Sequence, residues 1–465
     1  MEQYDFDLIV IGAGPGGYVS AIRAAQLGAK TAVVEKEFVG GTCLNRGCIP
    51  TKTLISAAQK LDSIKAAKAY GICVDPGAVS VDFAVLMKKK NDVVLRLRNG
   101  VNFLLRKNGV KVYSKTASFV DEHTICLNNE DHISAKQFIV ASGSMPVTLP
   151  FVELSEKVVD SNGILELKEI PASLTVLGGG VVGIEYASIF NNMGSKVTVL
   201  EGKSSILSGL DAELSAALHT HLCGLGIDIH TGIRINKVIE DGEVRFQKDG
   251  EERTLAADLV LASLGRVPYL DGLNLQAAGV EYSDKGILVD DKFLTNQPHI
   301  AAIGDVLGGM QLAHLASAQG IVAAESLLGA KSHQNLNVVP VCVYTHPEIA
   351  SVGKTEDELK SNHIPYEKSV FPMSACGKAV AMNEPEGMVK VLNDPQNKRI
   401  LGVHLFAPHA TDIIGEAALA MAKGMTVEDV ACVIHPHPTI GESLMEAMHL
   451  AAGMPINLLP VAKKE

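Results

Sequence analysis

Two cysteines, Cys43 and Cys48, lie five positions apart in the run GGTCLNRGCIPTK. Thiols at this spacing can form a disulfide that closes a small loop, and such a disulfide can exchange with other thiols. Cysteine is also among the most buried residue types, so an inert pair in the core is the simpler alternative. We favour a reactive pair, because two glycines precede Cys43 and the run IPTK follows Cys48, and buried structural cysteines need neither feature.

The N-terminal segment predicts a dinucleotide site. A short apolar run leads directly into Gly12, Gly14 and Gly17, and a helical pattern follows. The next apolar run ends at Glu35, 23 positions after Gly12. Glycines at these positions let backbone N–H groups approach a pyrophosphate, while the carboxylate accepts hydrogen bonds from ribose hydroxyls. The glycines alone would be a weak signal, but strand, turn, helix, second strand and acid together are a strong one.

The same unit recurs in the middle of the chain. Another apolar run precedes Gly178, Gly180 and Gly183, and the following strand-like run ends at Glu201, again 23 positions after the first glycine. Two full units predict two dinucleotides bound at once. The carboxylate favours the free 2′-hydroxyl of NAD, since a 2′-phosphate would need an arginine there.

Composition narrows the class of protein. A chain of 465 residues is too long for one hydrophobic core and predicts three or four domains. The 47% hydrophobic content and 43 glycines fit an α/β fold with many tight turns. The net charge of −11, with no long basic run, is unfavourable for binding to nucleic acid or anionic membranes. We also expect no metal site.

The cysteine content and the N-terminus bear on the compartment. No apolar run approaches the roughly 18 residues needed to cross a bilayer. The acidic N-terminus leads straight into the first strand, so we expect neither a signal nor a transit peptide and a cytoplasmic location. In a reducing cytosol a disulfide is usually catalytic, which strengthens the interpretation of Cys43 and Cys48.

The rest of the chain predicts two further kinds of structure. Buried strands close each nucleotide unit, a strand near residue 300 ends on a Gly-Asp pair, and a helix follows over 311–328. The last third alternates strand-like runs with a helix over 412–425, a mixture suited to subunit contact. The predicted fold class is therefore α/β, with two Rossmann-like dinucleotide-binding domains and a C-terminal α+β dimerisation domain.

Exchange between a thiol substrate and a disulfide needs a base, because a free thiol is mostly protonated at pH 7. Of the fifteen histidines, His437 is the best candidate. Prolines fix the backbone of its run HPHPT, and Glu442 follows five residues later, close enough for a turn to bring the carboxylate back to the imidazole. We interpret His435 as structural.

In chain order these motifs resemble the flavoprotein disulfide reductases, and most closely the branch that oxidises dihydrolipoamide. The resemblance covers nearly the whole chain. Its segments are 12–17, 40–52, 141–146, 178–185, 265–268, 304–305, 312–314 and 435–442.

The resemblance implies roles for six residues. Cys43 would exchange with the substrate sulfur, and Cys48 would face the flavin as a thiolate. Lys52 and Glu185 would form an ion pair beside the reactive flavin nitrogen. The C-terminal histidine and glutamate, His437 and Glu442, would complete the active site of the partner subunit in a homodimer.

The resemblance further implies FAD at the first nucleotide site and NAD at the second. The residues expected to bind FAD are Gly12, Gly14, Gly17, Glu35, Thr42, Lys52, Ala117, Ser142, Gly143, Asp305, Gln311, Leu312, Ala313 and His314. Those expected to bind NAD are Gly178, Gly180, Gly183, Glu201, Val238 and Gly265. The expected partners are lipoyl-bearing proteins of 2-oxoacid dehydrogenase or glycine cleavage complexes.

The expected domains are an FAD-binding domain with the disulfide (1–147), an NAD-binding domain (148–270), a central segment that completes the first domain (271–340) and an interface domain (341–465). Seven residues depart from the family pattern: Arg46, Thr51, Lys115, Ala117, Tyr269, Pro436 and Gly441. Arg46 stands where an apolar residue is usual, Lys115 where glycine is, and Tyr269 where asparagine is common. None removes a group that does chemistry, but Arg46 and Lys115 bear on substrate preference and flavin potential.

Three alternatives stay open at this point. A glutathione reductase uses NADPH and should carry an arginine where Glu201 stands. A mercuric reductase usually ends in a cysteine pair, and residues 457–465 contain none. A flavin-binding scaffold without turnover would need neither the cysteines nor His437 and Glu442.

Overall fold

The computed structural model describes residues 4–147 and 149–459; the last residues of the cysteine-free C-terminus, 460–465, lie outside this range. The first part of the chain forms β1 (Phe6–Ile11), α1 (Pro15–Gln26), β2 (Thr31–Val34), α2 (Gly41–Arg46), α3 (Cys48–Ala66), α4 (Phe83–Lys107), β3 (Lys111–Tyr113), β4 (Ala117–Phe119), β5 (Thr124–Leu127), β6 (Asp131–Val140) and β7 (Ser144–Pro146). Strands β1 and β2 are apolar and almost fully buried, since parallel strands are covered by helices on both faces.

A second α/β unit follows. Its elements are β8 (Val158–Asp160), β9 (Ser173–Leu177), α5 (Val181–Asn192), β10 (Lys196–Leu200), α6 (Ala212–Gly224), β11 (Asp228–His230), β12 (Arg234–Val238), β13 (Glu243–Lys248), β14 (Glu251–Ala256), β15 (Leu259–Ala262) and β16 (Arg266–Pro268). The parallel sheet runs in the order β11-β10-β9-β15-β8, and β12, β13 and β14 form a separate antiparallel sheet. A two-strand ladder of β7 and β16 connects the two units.

The chain then returns to the first unit through β17 (Tyr282–Ser283), β18 (Gly286–Ile287), β19 (Ile300–Ala302) and α7 (Ala313–Leu327). Six strands of the first unit form a sheet in the order β3-β2-β1-β6-β5-β4. Strand β19 pairs in parallel with β6 and is the seventh strand of this sheet. Helix α7 packs closely on α1, because a Cβ added at Gly320 would lie 2.6 Å from the carbonyl oxygen of Gly16.

The last part contains β20 (Val341–Val343), β21 (Glu348–Gly353), α8 (Glu356–Ser361), β22 (Glu367–Pro372), α9 (Gly377–Ala381), β23 (Met388–Asn393), β24 (Ile400–Ala407), α10 (Ala410–Ala422), α11 (Val427–Ala431) and α12 (Glu442–Ala451). Its sheet is antiparallel in the order β20-β21-β24-β23-β22, with one apolar core shared by sheet and helices. Short 3₁₀ turns occur at Ala67–Tyr70, Pro76–Ala78, Gly163–Glu166, Gly304–Leu307 and Met373–Ala375.

The predicted fold class is confirmed: two α/β nucleotide units are followed by an antiparallel α+β domain. The helix predicted over 412–425 spans Ala410–Ala422 instead, because Gly424 has a positive φ of 65° and Thr426 begins the capping box of α11. The predicted boundary at 147 follows β7, that at 270 follows β16, and that at 340 precedes β20. Within the described ranges, no helix is long and apolar enough to cross a bilayer.

Candidate active site

The two glycine turns share one geometry. Gly12 and Gly178 have positive φ angles of 98° and 101°. A Cβ added at Gly17 would lie 2.0 Å from the carbonyl oxygen of Gly12, and one added at Gly183 would lie 2.0 Å from that of Gly178. Glycine is therefore required where each helix crosses close to its preceding strand.

The middle glycine of each turn faces open space. Gly14 and Gly180 are the N-caps of α1 and α5. A Cβ added at Gly180 would meet nothing within 4 Å, and one added at Gly14 would approach only the Cα of Gly41, at 3.9 Å. Each helix N-terminus thus keeps room for an anion such as a pyrophosphate.

Glu35 and Glu201, which follow the second strand of each unit, accept the same pattern of backbone hydrogen bonds. Glu35 accepts from the N–H of Ala13 at 2.8 Å and from the N–H two residues beyond itself at 2.9 Å. Glu201 accepts from the N–H of Gly179 at 2.5 Å and from the N–H two residues beyond itself at 2.7 Å. Burial raises the pKa of Glu35 despite these bonds. Both carboxylates are fixed beside a glycine turn, where a ribose would lie.

The two cysteines lie on either side of a helix junction. Cys43 is in α2, and Cys48 is the first residue of α3. Gly47 between the helices permits the close turn, since a Cβ there would lie 3.1 Å from the carbonyl oxygen of Thr42 and 3.3 Å from the Cα of Cys43. Thr42, expected to bind FAD, is therefore adjacent to the thiols.

The two thiols have opposite acidities. A hydrogen bond from the Cys43 thiol lowers the pKa of Cys48 to about 7, against the effect of burial and with help from the charge of Lys52. The same bond, together with burial, raises the pKa of Cys43 well above its usual range. Reduced Cys48, at the N-terminus of α3, is thus the thiolate of the pair, and Cys43 retains the proton.

Lys52 and Glu185 form a buried ion pair. The Nζ of Lys52 lies 2.9 Å and 2.8 Å from the two carboxylate oxygens of Glu185. The Glu185 side chain is 4% exposed and that of Lys52 is 30% exposed, so the pair opens only on the lysine side. Lys52 follows Cys48 by one helical turn of α3, while Glu185 comes from α5 in the second unit. The family resemblance implied this ion pair, and the structure brings the two residues together.

A second junction joins the predicted flavin residues to the neighbouring unit. The Oγ of Ser142 donates to the carbonyl of Tyr269 at 2.7 Å, and the N–H of Tyr269 donates to the carbonyl of Gly143 at 2.9 Å. Asp305 accepts from the Oγ of Ser144 at 2.6 Å. Both bonds to Tyr269 use its backbone, and its ring contacts the ammonium of Lys36, which lies 3.5 Å from the ring centre.

Sequence reasoning did not single out Ser144 and Arg266 individually. The Nε of Arg266 donates to the Oγ of Ser144 at 2.8 Å, and a terminal nitrogen of Arg266 donates to the carbonyl of Ser144 at 2.8 Å. Burial lowers the pKa of Arg266, while Asp305 and Asp160 act in the opposite direction. Ser144 directly follows Gly143, and Arg266 directly follows Gly265, in two segments that resemble the family. Only the fold shows that these residues meet, because it pairs β7 with β16.

The remaining predicted cofactor residues lie on several separate elements. Ala117 begins β4 and is half-buried. Leu312 is the N-cap of α7 and Ala313 its first residue. The further contacts are Gln311 Nε2 to the carbonyl of Arg266 (3.5 Å), His314 Nε2 with the carbonyl of Pro340 (2.8 Å), and Val238 N–H to the carbonyl of Phe151 (2.9 Å). The Val238 side chain is buried in an apolar cluster, and Gly265 has a positive φ of 109°.

His437 and Glu442 lie together in the C-terminal domain. The Nδ1 of His437 is 2.8 Å from a carboxylate oxygen of Glu442, the first residue of α12. Burial alone would raise the pKa of Glu442, but the N–H of Thr439 and the imidazole hold it below its usual value. The His437 side chain is 78% exposed, so its other ring nitrogen is free to face a second molecule.

His435 differs sharply from its neighbour. Its side chain is 6% exposed, its Nε2 lies 2.9 Å from Glu416, and its Nδ1 lies 2.9 Å from the carbonyl of Val433. Both ring nitrogens are occupied, which agrees with a structural role.

Known families account for almost the whole chain. Residues 6–320 match the pyridine nucleotide-disulphide oxidoreductase family, and residues 339–448 match the dimerisation domain of the same family. The chain belongs to this family. It is 41% identical over 461 residues to a dihydrolipoyl dehydrogenase of Geobacillus stearothermophilus, covering 97% of each chain. It is 42% identical to one of Bacillus subtilis, covering 97% of this chain and 98% of the relative.

Among solved structures, the fold matches the HOCl-induced flavoprotein disulfide reductase RclA from Escherichia coli. The TM-score is 0.85 at 29% identity, and the alignment covers 96% of this chain and 99% of RclA. FAD and NAD are the cofactors of the disulphide oxidoreductase family that this chain joins. The open glycine turns, together with Glu35 and Glu201, fit a dinucleotide at each unit.

The two unusual cations each have a partner. Arg46 forms an ion pair with Glu37, and both side chains are about two-fifths exposed. Lys115 donates to Asp131 at 2.5 Å, and this bond raises the pKa of the lysine. In this chain both departures are therefore paired with carboxylates.

Proposed function

We propose that this protein is a dihydrolipoyl dehydrogenase, which oxidises dihydrolipoamide to lipoamide and reduces NAD⁺ to NADH with release of one proton. The near-full-length similarity to curated dihydrolipoyl dehydrogenases carries this proposal. The acidity difference between Cys43 and Cys48, with Lys52 and Glu185 beside them, supplies the matching chemistry.

The proposed thiol chemistry combines the roles that the family resemblance implies for the two cysteines with their difference in acidity. In the oxidised enzyme a substrate thiolate attacks the Sγ of Cys43, the Cys43–Cys48 bond breaks, and Cys48 leaves as a thiolate. The second substrate thiolate then displaces Cys43 from the mixed disulfide, and lipoamide is released. Cys43 takes up a proton, because its raised pKa favours the thiol, while the charge of Lys52 stabilises the Cys48 thiolate.

FAD, when bound, supplies two-electron transfer between this thiol pair and the nicotinamide of NAD. The residues proposed to hold FAD are Gly12, Gly14, Gly17, Glu35, Thr42, Lys52, Ala117, Ser142, Gly143, Asp305, Gln311, Leu312, Ala313 and His314. Those proposed to hold NAD are Gly178, Gly180, Gly183, Glu201, Val238 and Gly265. Among these, Lys52 and Glu201 carry charges that act on the thiols and on the 2′-position of the ribose, respectively.

The base that deprotonates the substrate is His437, contributed by the partner subunit of a homodimer. Glu442 orients its imidazole. The match of residues 339–448 to a dimerisation domain supports this arrangement. So do the apolar side chains exposed in the same region, since Ile434 is 95% exposed and Leu419 is 60% exposed. A second copy of the chain would cover this surface and bring His437 to the thiols.

The partners that present the substrate would be lipoyl-bearing proteins of 2-oxoacid dehydrogenase or glycine cleavage complexes, in the cytoplasm. These complexes share the lipoyl dithiol, so one active site serves any of them. The expected domain division at residues 147, 270 and 340 assigns the thiols to the FAD-binding part and the base to the interface part.

Steady-state kinetics with three substrates tests this function. Purified holoenzyme is assayed with dihydrolipoamide, oxidised glutathione and mercuric ion, each with NAD(H) and NADP(H). We expect turnover with dihydrolipoamide and NAD⁺ to exceed every other combination. Faster turnover with glutathione or mercuric ion would assign the enzyme to another branch of the family. Flavin binding without any turnover would support a scaffold.

A further inference from the structure

Tyr344, which follows β20, contacts both members of the buried ion pair. Its backbone N–H donates to Glu185 at 3.1 Å, and the Nζ of Lys52 lies 4.3 Å from the centre of its ring. The pair is therefore a three-part constellation, with one residue each from α3, α5 and the start of the C-terminal domain.

The position of Tyr344 is well determined by its surroundings. Val343 immediately before it is fully buried and pairs with Ile349 of β21. The Oγ1 of Thr345 immediately after it donates to the carbonyl of Pro347 at 2.5 Å. The ring itself packs against the core cluster that contains Leu54 and Ile55 of α3. The backbone is therefore fixed before and after Tyr344, and the ring lies between this core cluster and Lys52.

The aromatic face and the carboxylate restrict the lysine from two directions. A cation over a phenol ring is attracted to its negative face, and this attraction strengthens when water is excluded. Burial raises the pKa of Tyr344 to about 12, so the ring is uncharged at working pH and does not act as a second anion. The groups that act electrostatically on Cys48 are Cys43, Lys52 and Glu185, and the Tyr344 phenol would join them only if it lost its proton.

We propose that Tyr344 is a positioning residue, which fixes the Lys52 ammonium by its ring and Glu185 by its backbone N–H, and thereby sets the acidity of the Cys48 thiol. This inference rests on the proposed redox role of Cys48. Its test does not depend on dihydrolipoamide turnover, so the two can fail separately.

The experiment measures the acidity of Cys48 in holoenzyme carrying Cys43→Ser. The rate of alkylation of Cys48 by iodoacetamide is followed by peptide mass spectrometry from pH 5 to 9, and the pH midpoint is determined. In this background Tyr344→Phe keeps the ring and should leave the midpoint unchanged. Tyr344→Leu and Tyr344→Met keep the backbone N–H and remove the ring. Each should raise the midpoint by roughly half a unit or more.

A double-variant comparison separates this role from a general packing effect. With Lys52→Met already present, Tyr344→Leu should cause no further change in the midpoint, because the ring acts through Lys52. FAD content and melting temperature are measured for every variant, and Tyr344→Met replaces Tyr344→Leu if the latter does not fold. The proposal is overturned if Tyr344→Leu and Tyr344→Met leave the midpoint unchanged, or if Tyr344→Phe shifts it as much as they do. It is also overturned if Tyr344→Leu shifts the midpoint equally with and without Lys52.

Discussion

Two groups of buried charges connect the second nucleotide unit to the rest of the molecule, and they differ in the number of carboxylates and in the exposure of the lysine. The Lys52 pair, Lys52 with Glu185, has a single carboxylate and leaves the lysine 30% exposed. The Lys390 cluster consists of Lys390, fully buried, with Asp211, Glu213 and Glu356 around its ammonium. One group opens toward the proposed active site, and the other is closed.

The closed group satisfies its cation completely. The Nζ of Lys390 lies 3.0 Å from both oxygens of Asp211, 2.9 Å from Glu213 and 2.6 Å from Glu356. Burial alone would lower the pKa of Lys390, but these carboxylates raise it to about 12. A charge neutralised in this way stabilises one arrangement of the two domains and is not available for chemistry. The Lys52 ammonium, with one carboxylate partner, still acts on Cys48.

The largest expected effect is on stability, at the closed cluster. Lys390→Met leaves Asp211, whose side chain is 1% exposed, without its cation, while Glu213 and Glu356 keep Lys368. Loss of one partner from a buried ion pair costs about 3–5 kcal/mol. We expect a loss of that size in the free energy of unfolding, measured by denaturant titration, with kcat retained in the folded fraction. The matched control is Lys368→Met, since Lys368 is an exposed partner of the same two glutamates and should cost less than about 1 kcal/mol. Equal losses of unfolding free energy in Lys390→Met and Lys368→Met would contradict the distinction between a buried and an exposed lysine in this cluster.

The second effect is on activity, at the open pair. Lys52→Met removes the cation that stabilises the Cys48 thiolate, so the pKa of Cys48 should rise and turnover with dihydrolipoamide should fall at least roughly tenfold. Lys60→Met, an exposed lysine on the same helix, serves as the control and should change neither quantity. A Lys52→Met enzyme with wild-type turnover would show that the open pair is merely structural.

The pH dependence of stability should follow the closed cluster. Burial alone would raise the pKa values of Asp211, Glu213 and Glu356, but hydrogen bonds hold all three below their usual values: from Lys390 to Asp211 and Glu356, and from Lys368 and Lys390 to Glu213. A carboxyl with a lowered folded-state pKa contributes stability above its unfolded pKa and loses it as the pH falls. Between pH 6 and pH 3 the wild-type protein should therefore lose more unfolding free energy than Lys390→Met. If the unfolding free energy falls equally with pH in the two proteins, the Lys390 cluster does not cause this pH dependence.

The smallest expected effect concerns the second unit itself, which both charge groups hold in place. Glu201 would repel a 2′-phosphate, so NAD⁺ should be preferred over NADP⁺ by at least roughly tenfold in kcat/KM, equivalent to about 1.4 kcal/mol. Glu201→Arg should narrow or reverse this preference, whereas Glu252→Arg on the exposed strand β14 should not. Equal use of the two cofactors by the wild-type enzyme would refute the argument from Glu201.

Local sequence patterns predicted the nucleotide units well. The strands before and after each glycine turn follow from apolar runs, and the acids at Glu35 and Glu201 follow from spacing. Helix α4, with 25 residues, was not predicted, and neither was the sheet of β12, β13 and β14. Most of their residues are exposed, so hydrophobicity alone does not distinguish these segments from loops.

Contacts between distant segments were the harder part. The meeting of Lys52 with Glu185 was expected only through family resemblance, because no local pattern joins α3 to α5. Tyr344 and the Lys390 cluster were missed altogether. Asp211 and Lys390 are 179 residues apart, and a single lysine within an apolar strand looks like a surface residue until the fold encloses it.

Subunit mixing tests most directly the central claim, that the thiols of one chain work with His437 of another. Inactive Cys43→Ser and His437→Gln homodimers are mixed under conditions that exchange subunits, and heterodimers are confirmed by native mass measurement. If the site is shared, each heterodimer has one site with both lesions and one intact site, so activity should recover to about a quarter of the wild-type value in an equal mixture. If His437 served its own chain, every site would carry one lesion. Confirmed exchange without recovered activity would then contradict the account.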